Sequence, residues 1–247
     1  MKVAAVIVSH GTPEKVAESL PALRPQVDEL LVIANIPGSV PPGIDVVTND
    51  EPLGFGANLN RGFARTTAEL VVAANPDAVP GPGAIAALRS FMAEHPRCGV
   101  AGPRMEFPDG TWQPSRRRFP TVTGTIVRRT PLRLVVPQRA HFHLDSGPPT
   151  EPVEADWMLG GFLMLRRSML DQLGGFDEGF RLYGEDIDLQ YRAMRAGWER
   201  WYVPAAVVRH EHQAETDKRW LTRRTLWHWA GIVRFVRKHP ERLRALG

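Results

Sequence analysis

Apolar residues fall first into short unbroken runs and then into helical spacing. Val3-Ala4-Ala5-Val6-Ile7-Val8 is apolar throughout and rich in β-branched residues, the pattern of a strand buried on both faces of a parallel sheet. Thr12 offers an N-cap and Pro13 a first helical position, after which Val16, Leu20 and Leu23 share one face. Leu30 to Ala34 predicts a second strand, Val46-Val47 a short third and Leu70 to Ala74 a fourth. Helices are predicted from about Gly56 to Thr67 and from Pro82 onward, the latter with Ile85, Leu88 and Met92 on one face. Strands alternating with helices predict an α/β fold with a mainly parallel sheet. Ligands in such sheets sit beyond the C-terminal ends of strands, which marks Ser9-His10, Asn35 and Asn75-Pro76-Asp77 as candidate site positions.

The periodicity loosens after Val100. Prolines and arginines dominate from Pro103 to Pro152, a stretch expected to be irregular and partly mobile. Order returns with a strand over Phe162 to Leu165 and a helix from Ser168 to Leu173 closed by Gly174-Gly175. A helix from Asp186 to Ala196 would carry Ile187, Tyr191 and Met194 on one face and stop at Gly197. Ala205 to Val208 predicts a last short strand. Leu221 to Lys238 predicts a long helix, with Leu226, Trp229, Val233 and Val236 on one side against the sheet.

At 247 residues, 43% hydrophobic and 23% charged, the chain can build a full core without disulfides or a structural metal. Cys98, the single cysteine, reads as a small buried hydrophobe and fits a reducing, cytoplasmic compartment. Met1 to Ser9 lacks the long apolar core of a signal peptide, and no run approaches the roughly 18 apolar residues of a membrane span. The net charge of +4 gathers at Arg116-Arg117-Arg118, at Arg128-Arg129 and between Lys218 and Arg244. Such clusters suit an anionic partner: a nucleotide, a nucleic acid or an anionic lipid.

Four segments could carry chemistry. Asp77 ends a buried strand, where a carboxylate suits Mg²⁺ or Mn²⁺ shared with substrate phosphates, although Asn-Pro-Asp-Ala is equally a turn sequence. Gly184-Glu185-Asp186-Ile187-Asp188 places three acids at a helix start, either to match the helix dipole or to position a base at the end of a glycine-rich loop. Gly54 to Gly62 begins like a dinucleotide fingerprint but has Leu59 where the third glycine belongs, so an NAD site is disfavoured. Asn58, Asn60 or Arg61 could still reach a phosphate there, or the segment is a packed strand-to-helix turn. His210 and His212 alternate in an extended segment and could share a metal, or His210 could simply hydrogen-bond at a strand end.

These pieces in this order resemble the family 2, GT-A-type glycosyltransferases, in particular the rhamnosyltransferase-like branch. The marks are Val6-Ile7-Val8-Ser9-His10, Leu53 to Gly62, Asn75-Pro76-Asp77-Ala78, Gly102-Pro103-Arg104, Pro108-Asp109-Gly110-Thr111 and Arg117 to Thr121. Asp156 to Gly161, Gly174 to Glu178 and Gly184 to Leu189 complete the set. The resemblance implies a GT-A fold, Rossmann-like with a mainly parallel central sheet flanked by helices. One catalytic domain would span 1–215, with a nucleotide-sugar half at 1–100, an acceptor half at 101–215 and a basic helical extension at 216–247. It implies an inverting transfer of a sugar, rhamnose among the candidates, from a dTDP-, UDP- or GDP-sugar to a hydroxyl, in cell wall or polysaccharide biosynthesis. Asp77 and His210 would hold Mg²⁺ or Mn²⁺, Asp186 would be the base and Glu185 its support. Ser9, Asn35, Asn49, Asp50, Gly54, Asn58, Arg61 and Asn75 would face the donor.

Two features depart from the pattern: Ile33-Ala34-Asn35-Ile36 lacks the acid usual after the second strand, and Asn75 replaces the first carboxylate of Asp-x-Asp. The implied partners are a nucleotide sugar and a carbohydrate or lipid-linked acceptor, without nucleic acid. The implied place is the cytoplasm, peripheral on an anionic inner membrane face. A nucleotidyltransferase, or a sugar-binding scaffold without activity, is the competing reading. The former normally has a glycine- and basic-rich loop after its first strand, which Ser9-His10-Gly11-Thr12-Pro13 lacks.

Overall fold

The computed structural model describes residues 1–120, 144–211 and 223–244. Arg128-Arg129, Thr121, His212 and the basic stretch at 218–222 lie outside the described residues.

The predicted apolar runs become the centre of a single sheet. Strands β1 (Val3–Ser9), β2 (Glu29–Ala34), β3 (Val47–Thr48) and β4 (Leu70–Ala74) are parallel, with β1 between β2 and β4. Every residue of β1 and β4 is buried, as their unbroken apolar sequence requires. Beyond β4 the sheet continues through β11 (Phe162–Arg166), β6 (Cys98–Glu106), β12 (Glu199–His210) and β5 (Ala78–Pro80). β6 and β12 are parallel to each other, while β11 is antiparallel to β4 and β6, and β5 to β12. Four short strands complete the set: β7 (Trp112–Gln113) pairs β6, β9 (Val153–Glu154) pairs β12, and β8 (Arg116–Arg117) pairs β10 (Trp157–Met158).

Side-chain alternation sends Val3, Ala5 and Ile7 to one face, against Leu23 of α1 (Pro13–Leu23) and Ile85, Leu88 and Met92 of α3 (Ala84–Glu94). Val6 and Val8 point to the other, against Leu59 and Phe63 of α2 (Phe55–Phe63), Leu170 of α4 (Arg167–Leu173) and Leu189 of α5 (Glu185–Arg195).

The structure alters four expectations. Thr12 makes no side-chain cap to α1; its hydroxyl faces that of Ser9 at 3.2 Å instead. The stretch after Pro103 is not irregular throughout, because β6 runs on to Glu106 and turns back through β7. The last strand is twelve residues long rather than four, interrupted by a register shift between Val203 and Val207, where Pro204 cannot donate to the ladder. The side of α6 (Arg223–Lys238) expected to pack is not the side that packs. Trp229 and Val233 are 42% and 46% exposed, and the buried positions are Gly231, Phe235 and, just past the helix, His239. Leu226 lies outside the described side chains.

Candidate active site

Ser9, Asn35 and Asn75 each follow the C-terminal end of a parallel strand or close it, and His210 ends β12. Because β11 runs the other way, its leading residues Gly160-Gly161 arrive at this same edge. Asn75 N–H donates to the Gly161 carbonyl at 2.8 Å, fixing the two segments to each other. The chain then crosses from β4 to β5, whose pairing with the end of β12 matches His210 with Ala78. That crossing places Asp77 Oδ1 3.5 Å from His210 Nε2, with Asn75 Nδ2 3.4 Å from the same nitrogen.

Asp186, in the first turn of α5, reaches the opposite side of Gly160-Gly161. Its Oδ2 accepts the Gly160 N–H at 3.0 Å and its Oδ1 that of Ile187 at 2.9 Å. A Cβ on Gly160 would lie 2.9 Å from Asp186 Cβ, and one on Gly161 2.9 Å from His210 Nε2. Only glycine lets the Asp186 helix and the His210 strand approach this closely. Burial pushes the Asp186 carboxyl above its ordinary range, against the two N–H groups and the nearby Arg117 guanidinium, which favour the anion. Glu185 is also buried; burial first and the Asp186 charge second push its carboxyl up to about 8.

The candidate donor residues form a connected floor. Asn49 Nδ2 donates to Asn35 Oδ1 at 2.9 Å and to Asn58 Oδ1 at 2.6 Å, and Arg61 donates to Asn49 Oδ1 at 2.8 Å. Asn35 Oδ1 also accepts the Leu53 N–H at 2.8 Å, and Asn58 Nδ2 donates to the Gly54 carbonyl at 2.9 Å. Ser9 Oγ donates to the Ser39 carbonyl at 2.6 Å. These side chains hold β2, β3 and α2 in place, while Asp50 is exposed beside them.

Asp77 and His210 fit a divalent ion by their chemistry, a carboxylate oxygen and an imidazole nitrogen close enough to share one ion. Among the described residues no group of three or more His, Cys, Asp or Glu gathers as a metal site.

Gln113 and Lys15 carried no mark in the sequence, and Arg117 was marked only as part of the Arg116-Arg117-Arg118 cluster and the Arg117 to Thr121 motif, without a place in the site. Gln113 accepts from His210 Nδ1 at 3.0 Å, Arg117 lies near Asp186, and Lys15 pairs with Glu211 beside Asp77. All three come from segments distant in the chain, so no local spacing announces them.

A family model described as "Glycosyltransferase like family 2" matches residues 24–230. An N-acetylglucosaminyl-diphospho-decaprenol L-rhamnosyltransferase of Mycobacterium tuberculosis is 35% identical over 197 residues, 72% of this chain. The chain spans 62% of the length of that relative. Among solved structures, GalNAc-T7 with UDP, GalNAc and Mn²⁺ superposes with a TM-score of 0.63 at 15% identity, over 86% of this chain and 44% of that one. The mannosyltransferase PcManGT from Pyrobaculum calidifontis, in complex with GDP-Man and Mn²⁺, gives 0.56 at 14% identity, over 98% and 72%. These two likenesses establish the GT-A fold.

Proposed function

The chain belongs to glycosyltransferase family 2, and from that premise we propose that it transfers a sugar from a nucleoside diphosphate donor to an acceptor hydroxyl, with inversion. The observation that carries the reading is the placement of Asp186 and of the Asp77–His210 pair on either side of Gly160-Gly161. Asp77 and His210 would hold Mg²⁺ or Mn²⁺, which when bound neutralises the charge that grows on the leaving diphosphate.

Asp186 takes the proton of the acceptor hydroxyl. Each of its carboxylate oxygens accepts one backbone N–H, which fixes the group and leaves a lone pair for the proton. Burial and the Asp186 charge favour the protonated form of Glu185, which limits the negative charge gathered beside Asp186. Attack from the face opposite the diphosphate inverts the anomeric centre without a covalent enzyme intermediate. The segment 1–100 supplies the donor floor, and 101–215 supplies Arg117 and Asp186 on the acceptor side.

The mycobacterial relative's name supports L-rhamnose as the sugar and a lipid-linked sugar diphosphate as the acceptor. No described helix is long and apolar enough to cross a membrane. Contact with a lipid acceptor would be peripheral, through the exposed side of α6.

Asp186→Asn should leave donor binding intact and slow transfer roughly 10²-fold or more, as expected for a lost general base. Near-normal turnover would overturn the assignment. Running wild type and variant over dTDP-, UDP- and GDP-sugars, with and without Mn²⁺, identifies the donor. Nucleotidyl transfer without sugar transfer in that panel would replace this reading with the competing one.

A further inference from the structure

We propose that Gln113 is a positioning residue that locks His210 in one tautomer, with the proton on Nδ1 and the Nε2 lone pair turned toward Asp77. The inference rests on the metal reading above and assigns the residue that prepares the ligand. A carbonyl oxygen can only accept, so the 3.0 Å contact between Gln113 Oε1 and His210 Nδ1 requires the hydrogen on Nδ1. A neutral imidazole carries one N–H, which leaves Nε2 basic, 3.5 Å from Asp77 Oδ1. Both side chains are buried, so solvent does not compete for either partner.

The placement is built by the hairpin that contains Pro108-Asp109-Gly110-Thr111. Phe107 N–H donates to the Thr111 carbonyl at 2.8 Å, and Asp109 Oδ1 accepts from the Thr111 N–H at 2.9 Å and its hydroxyl at 2.6 Å. This turn sets the register in which Met105 faces Gln113 on one side and Val208 on the other. His210 lies two residues past Val208, on the same side of the sheet. Gln113 Nε2 is buried and has no hydrogen-bond partner among the described residues. An apolar side chain of the same size would avoid that cost, so packing alone does not account for glutamine here. The group that does is the imidazole on its oxygen.

The test combines Mn²⁺ titration with ¹⁵N NMR of the His210 ring in metal-free protein, for wild type, Gln113→Met and Gln113→Glu. Methionine keeps the length without a strong acceptor; glutamate keeps the acceptor. Wild type should show the Nδ1–H tautomer. Gln113→Met should mix tautomers and weaken Mn²⁺ binding 10- to 100-fold, the usual effect of removing a partner behind a metal-bound histidine. Gln113→Glu should retain the tautomer and bind Mn²⁺ within a few-fold of wild type. An Nε2–H tautomer in wild type, or unchanged Mn²⁺ affinity in Gln113→Met, overturns the proposal. Should Gln113→Met fail to fold, the wild-type tautomer and the Gln113→Glu affinity decide. Wild type that shows the Nδ1–H tautomer yet binds no Mn²⁺ overturns the metal reading itself.

Discussion

Glu185 and Asp186 are adjacent in the chain, yet their carboxyls enter different surroundings. Residues at i and i+1 of a helix diverge by about 100°. Asp186 thus meets Gly160, while Glu185 lies against the Gly56 backbone of α2, its Oε2 without a hydrogen bond among the described residues. The acid cluster was legible in the sequence as either a dipole match or a base, because spacing shows that acids are present but not what each one faces. The Glu185 environment carries a pH signature. Its carboxyl is raised from 4.5 to about 8, so the native state binds this proton more tightly than the unfolded chain. The stabilising proton is fully present below about pH 4.5, and stability falls as pH rises toward 8. Glu185→Gln, neutral throughout, should therefore gain melting temperature over wild type as pH climbs from 5 to 9. Parallel melting curves across that range would show that Glu185 is ionised in the native protein.

Helices α5 and α6 are joined through Asp188, the third acid of the cluster. Asp188 is 0% exposed and receives Arg192 Nε at 2.7 Å, Lys238 Nζ at 3.0 Å and His239 Nε2 at 2.8 Å. Asp177, in the loop before α5, takes Arg234 and Lys238, each at 2.7 Å, and these hold its carboxyl well below the usual range despite partial burial. Asp188→Ala leaves three donors without their buried partner, and removing one side of such an arrangement costs about 3–5 kcal/mol. Urea unfolding should report a loss of that order, with faster proteolysis within α6; unchanged values on both counts would make the contact incidental. The buried face of α6 was hidden from hydrophobic periodicity because a glycine begins it and a histidine ends it. Gly231 packs against the Tyr183 carbonyl where a Cβ could not fit. The central strands were legible because they are apolar at every position. β6 and β12 were not, since Pro103, Arg104, Pro204 and Arg209 interrupt their runs.

Over the whole molecule, the basic C-terminal segment is less available than its composition suggests. Arg234 and Lys238 are paired internally, and the Arg242 guanidinium lies over Phe119 and Tyr191. Among the described side chains, the large apolar groups that α6 exposes are Trp229 and Val233, four residues apart on one face, with Arg237 exposed further along the helix. Contact with lipid, where it occurs, should then be more apolar than electrostatic. Vesicle sedimentation should show binding that survives high salt and drops several-fold in the Trp229→Ser, Val233→Ser double variant. Binding abolished by salt and indifferent to that variant would return the role to unpaired cations. The overall α/β architecture was visible from strand–helix alternation, whereas the join between residues 75–77, 160–161, 186 and 210 was implied only by the family resemblance, because it depends on strand order that periodicity does not carry. That order also bears on how the protein is made. β5 pairs with the end of β12, so residues 78–80 leave the ribosome long before 208–210. At roughly 5–20 residues per second, β5 waits on the order of ten seconds for its partner. Asp77 has no His210 beside it until then. A translation product that stops short of β12 therefore has Asp77 exposed without the imidazole that faces it in the finished fold.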